Sequence, residues 1–139
     1  MPSRTLSLVA SCALAFTAFC PPALAQNLTE RAKFEIESVG LHPGLEPGMY
    51  ICAKGHLHVK GTVQNLSTAS LNSVKVSAKA FDADGNLVGT ATASTPRKAV
   101  ISPGQRGEIN FEFLTVTGAL IEKVKRTEVT VLEASPKLR

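Results

Sequence analysis

The chain has 139 residues, 44% hydrophobic and 19% charged, with no Trp, one Tyr and a formal net charge of +4. That length holds one compact domain, and the apolar share is too high for a disordered chain. A multidomain enzyme and a polytopic membrane protein are excluded.

The first stretch reads MPSRTLSLVASCALAFTAFCPPALAQ. Arg4 supplies a positive start, Leu6 to Phe19 carry no charge, and Pro21-Pro22 precede the small residues of Ala23-Leu24-Ala25. This three-part layout predicts a secretory signal peptide over residues 1–25, cleaved after Ala25. A membrane span needs about 20 apolar residues, so no transmembrane segment is expected after cleavage. Lipid attachment is disfavoured at both thiols. Cys20 follows the bulky Phe19, and the apolar run ahead of Cys12 is short. Cleavage would leave Cys52 as the only thiol, which excludes an internal disulfide and assigns stability to a packed core. The expected location is periplasmic or secreted.

From residue 26 the pattern alternates with a period of two. Phe34 and Ile36 alternate with Lys33, Glu35 and Glu37, predicting a first strand near 33–39. Gly40 to Gly48 holds two Pro-Gly pairs and reads as a surface loop, completing an N-terminal segment at 26–48. Leu57, Val59, Gly61 and Val63 alternate with His56, His58, Lys60 and Thr62, and Asn65 to Ser70 is a polar connection. Val74, Val76, Ala78 and Ala80 form the next apolar row. Asp82-Ala83-Asp84-Gly85-Asn86 then signals a hairpin into the Leu87–Thr95 run. Ser102-Pro103-Gly104-Gln105 is a turn before Ile109, Phe111 and Phe113, which alternate with Glu108, Asn110 and Glu112. Val116 to Val124 fits a short helical turn or a crossing loop, and Thr127, Val129 and Val131 mark a last strand. The sandwich core is expected over 49–134, with 135–139 a frayed tail. One apolar face per strand and frequent turns predict an all-β fold, an antiparallel immunoglobulin-like β-sandwich of about seven strands.

Three stretches carry a family resemblance: Val59-Lys60-Gly61-Thr62-Val63-Gln64-Asn65, Val76-Ser77-Ala78-Lys79-Ala80-Phe81-Asp82 with Gly85, and Ser102-Pro103-Gly104 with Phe111. Together they resemble the FxLYD-type domains of exported bacterial proteins, with Ala78, Ala80 and Phe81 standing where the family has Phe, Leu and Tyr. The resemblance implies an immunoglobulin-like sandwich and an envelope address, and no reaction.

All three His (His42, His56, His58) lie between positions 42 and 58, with Cys52 and Met49. Soft and borderline donors suit Cu(I) or Zn(II). His56 and His58 are two apart on a strand and share a face, so they form a two-ligand platform that needs Cys52 or His42 as a third. The alternative places both His on the wet face beside Lys60, with Cys52 a small buried hydrophobe. Catalysis has no motif: Asp82 and Asp84 belong to a turn, Glu35 and Glu37 to a solvated strand face. No enzyme activity is expected. Arg97, Lys98, Arg106 and Lys123, Lys125, Arg126 form basic clusters. With few aromatics to stack on bases they point away from nucleic acid and towards anionic envelope polymers or headgroups. The leading expectation is an exported, non-catalytic domain that docks an envelope protein or an anionic surface through an edge strand or loop end, and the alternative is periplasmic Cu or Zn binding.

Overall fold

The computed structural model describes residues 28–38 and 41–138, so the expected signal peptide at 1–25 lies outside the described residues. Seven strands and one short helix follow in order: β1 (Ala32–Ile36), β2 (Met49–Ile51), β3 (His56–Asn65), β4 (Leu71–Phe81), β5 (Leu87–Ser94), β6 (Arg106–Thr117), α1 (Ala119–Lys123) and β7 (Arg126–Pro136). They form the antiparallel β-sandwich that the alternation predicts. In one sheet β3 is central. β6 pairs along one side of it, and β1 and β2 share the other, β1 against Gly61–Asn65 and β2 against Leu57–Val59. The second sheet has the order β5-β4-β7.

The inward rows fill the space between the sheets. Leu57, Val59 and Val63 of β3 and Ile109, Phe111 and Phe113 of β6 are buried with Val74, Val76, Ala78 and Ala80 of β4. Phe34 meets Phe111 edge-on with ring centroids 5.5 Å apart, a geometry that aligns ring edge with ring face. Gly61 makes this possible, because a Cβ there would lie 2.4 Å from both the Phe34 ring and the Glu35 carbonyl oxygen.

Turn chemistry is local. Asp82 Oδ1 accepts from the backbone N–H groups of Asp84 and Asn86, and Gly85 takes φ +85°. At the second turn the Gln105 N–H donates to the Ser102 carbonyl. The ambiguous Val116–Val124 stretch divides: β6 runs to Thr117, Gly118 reverses the chain at φ +53°, and α1 places Ile121, with Val124 just beyond it, in the core.

One expectation needs correction. Ser135 and Pro136 are not tail residues; they continue β7, opposite Ser73 and Leu71, and the Lys137 N–H donates to the Ser70 carbonyl. The polar connection expected at Asn65–Ser70 holds a buried anchor. Asn65 is buried within it, donating through Nδ2 to the Ala69 and Ile101 carbonyls and accepting through Oδ1 from the Ser67 N–H and hydroxyl.

Candidate metal centre

The β2–β3 hairpin fixes the first donor. The Cys52 N–H donates to the His56 carbonyl, the Gly55 N–H donates to the Cys52 carbonyl, and Gly55 takes φ +80°. A tight turn closed by a left-handed glycine reverses the chain in few residues. Cys52 therefore sits half-buried where β2 ends, a free thiol.

The sheet register supplies the rest. Tyr50 of β2 stands opposite His58 of β3, and His58 stands opposite Glu112 of β6. Side chains at directly opposed positions lie on one face about 5 Å apart, so the three form a row across the sheet. Tyr50 stacks on the His58 ring with centroids 4.8 Å apart, and His58 is only 8% exposed. This corrects the wet-face reading. His58 is on the polar side of β3, as alternation requires, but neighbouring strands cover it.

Asn110 holds the inner edge of that ring. Its Nδ2 donates to the Tyr50 hydroxyl at 2.7 Å, and its Oδ1 lies 3.2 Å from His58 Nδ1. An amide oxygen only accepts, so Nδ1 is the donor in this contact, and in the tautomer protonated there Nε2 offers a lone pair. The Tyr50 hydroxyl is also 3.2 Å from Nδ1. Nε2 is buried and has no hydrogen-bond partner among the described residues. Buried polar atoms are nearly always satisfied, so such an atom calls for an explanation.

Its surroundings give one. Nε2 lies 3.7 Å from Glu112 Oε1, and Cys52 Sγ, a His58 ring nitrogen and a Glu112 carboxylate oxygen all fall within 4.8 Å of one another. The same Oε1 is 3.0 Å from His56 Nδ1. That hydrogen bond is the main cause holding the Glu112 carboxyl below the usual carboxylate range, with weaker help from the charges of His58, His56 and Lys54 and some opposition from desolvation. Glu112 is thus an oriented, ionised oxygen donor.

The four sequence candidates separate. Cys52 and His58 converge, His56 reaches the cluster through Glu112, and His42 is exposed in the turn before β2, outside the converging set. Met49 is buried in the core opposite Val59, on the face away from His58. Tyr50 is not singled out in the sequence, and Glu112 and Asn110 lie about 60 positions from it; only the β3–β6 register brings the polar row of β6 to the hairpin. Elsewhere, three ion pairs hold charged groups within the chain. Arg106 pairs with Glu35, which also meets Lys33, and Arg126 pairs with Glu128 while lying over the Phe81 ring. Two of the six expected basic-cluster residues are therefore engaged within the chain. Comparison with family models, curated proteins and solved structures found no match to this chain.

Proposed function

We propose that this chain is an exported, non-catalytic binding domain whose ligand is a single transition-metal ion. Cys52 Sγ, His58 Nε2 and the Glu112 carboxylate hold it on the outer face of the β2–β3–β6 sheet. The observation that carries this reading is the buried His58 Nε2, without a hydrogen-bond partner among the described residues and 3.7 Å from Glu112 Oε1, on a ring that has a nitrogen within 4.8 Å of Cys52 Sγ. The export signal read at 1–25 and the FxLYD-type resemblance support an envelope address, where the ion would be taken up from the periplasm or medium. Metal titration of the purified protein under reducing conditions tests it, with Zn(II) and Cu(I) as probes. Micromolar or tighter binding that is lost in Cys52→Ser and His58→Gln, and kept in His42→Ala, supports the site. Binding of neither ion, or binding unchanged in both variants, overturns it.

A second reading rests on a different observation. Among the described residues β7 pairs only with β4, and its inward residues Val129, Val131 and Ala134 are half-buried while Leu132 is about half exposed. A strand with one unpaired edge and a partly open inner row gains both hydrogen bonds and apolar cover from an added extended segment. On this reading an envelope partner docks along β7. A photo-crosslinker at Leu132 that yields one discrete adduct in envelope extracts, absent when it is moved to His42, supports it; no discrete adduct counts against it.

A further inference from the structure

We infer that the ion is of the zinc class, a borderline divalent cation, and that Glu112 selects it over Cu(I). This rests on the metal-binding reading above and goes further, naming the ion class and the selecting residue. The sequence alone leaves copper and zinc open, because its soft donors suit both.

The assembled donor set does not. It contains one thiol sulfur, one imidazole nitrogen and one carboxylate oxygen. Cu(I) favours thiolate, thioether and imidazole, whereas an anionic oxygen is a good donor for Zn(II) and a poor one for Cu(I). The thioether that would tip the balance towards copper belongs to Met49, and its side chain is committed to the core on the other face of the sheet. A thiolate and a carboxylate together carry two negative charges, which match a divalent ion and exceed a monovalent one.

Geometry points the same way. A tetrahedral zinc with arms of about 2.0–2.3 Å sets its donors roughly 3.3–3.8 Å apart. His58 Nε2 and Glu112 Oε1 are already 3.7 Å apart. Closing Cys52 onto them asks only for adjustment of a half-buried side chain at a hairpin turn. His56 bonds Glu112 Oε1, and Asn110 lies against the far nitrogen of His58. Such outer partners orient ligands and fix tautomers at zinc sites. Three protein donors would leave the fourth position of a tetrahedral site to water, which can reach the site past the exposed Glu112.

The test compares wild type, Glu112→Ala and Glu112→Met in chelator-competition titrations with Zn(II) and, anaerobically, with Cu(I). Circular dichroism confirms folding, which an exposed side chain should not disturb. Glu112→Ala is expected to weaken Zn(II) binding at least about tenfold while leaving Cu(I) within about threefold. Glu112→Met, which replaces the oxygen with a thioether, is expected to raise the Cu(I)-to-Zn(II) affinity ratio. Cobalt(II), a spectroscopic stand-in for zinc, should give the intense visible bands of a four-coordinate site with a sulfur-to-metal charge-transfer band that Cys52→Ser removes. If wild type binds metal but Glu112→Ala weakens both ions equally or neither, the assignment of Glu112 as selector fails while the site survives. If wild type binds neither ion, the site and this inference fail together.

Discussion

Asn65 shows how much one side chain can hold. Its amide makes four hydrogen bonds, three within the β3–β4 connection and one to the Ile101 carbonyl, in a place with almost no solvent. Asn65→Ala would leave the buried Ser67 N–H without its acceptor and take one donor each from the Ala69 and Ile101 carbonyls, which keep the Ser67 hydroxyl and the Leu71 N–H, and a buried unsatisfied group costs far more than an exposed one. Urea unfolding should show a loss of about 2–4 kcal/mol for Asn65→Ala, against about 0.5 kcal/mol or less for Thr68→Ala on the exposed part of the same connection. Gly61 is a second case. The Cβ of Gly61→Ala would meet the Phe34 ring and the Glu35 carbonyl at 2.4 Å, and overpacking of this kind should cost about 1–3 kcal/mol in the same assay. The sequence shows Asn65 as one more polar turn residue and Gly61 as one more small inward one. What distinguishes them is what the rest of the chain lays over them, and no local pattern carries that.

At the scale of elements, alternation was a reliable guide to which face a residue occupies and a poor guide to how wet that face is. His58 lies on the side opposite Leu57 and Val59, as the period of two requires, yet β2 and β6 bring Tyr50, Asn110 and Glu112 over it. A short β2 of three residues leaves little periodic signal, so its coverage of β3 could not be read in advance. β7 presents the reverse error. Pro136 and the charged Lys137 and Arg139 look like a fraying end, but Pro sits acceptably on an edge strand where its missing N–H faces no partner. The structure therefore predicts that a chain ending at Ala134 loses the Ser135 and Pro136 pairings and the Lys137 N–H bond to Ser70. Thermal unfolding of that truncation should show a destabilisation of about 1–2 kcal/mol, where a frayed tail would give none.

Across the whole molecule, charge sets the acid limb of stability. Glu35 is held below the usual carboxylate range chiefly by its hydrogen bond from Arg106, with Lys33 adding to it; Asp82 by Asn86; and Glu112 by His56. Each binds its proton less readily in the folded chain than in the unfolded one. Near pH 4 the unfolded state therefore holds more protons, so stability rises with pH there and is lost as pH falls below about 4.5. Glu112 is exposed and Glu35 and Asp82 are only partly covered, so the loss should be modest and should shrink in about 1 M salt. Differential scanning calorimetry between pH 3 and 6 checks this, and Glu35→Gln should flatten the acid limb.

The same whole-molecule view shows what a bound ion would do. Cys52 and His58 belong to the β2–β3 hairpin, whereas Glu112 comes from β6, 56 positions beyond His56. One ion on those donors would join segments that the unfolded chain keeps far apart, so it favours the folded state by mass action. At a free zinc concentration about a hundred times its Kd, the unfolding free energy should rise by about 2.7 kcal/mol. Chelation by EDTA should return it to the metal-free value, and Cys52→Ser should show no zinc-dependent gain. The gain requires an affinity difference between folded and unfolded chains. An equal zinc effect in wild type and Cys52→Ser would mean the ion acts elsewhere, and the row Tyr50–His58–Glu112 would then be a structural stack across three strands.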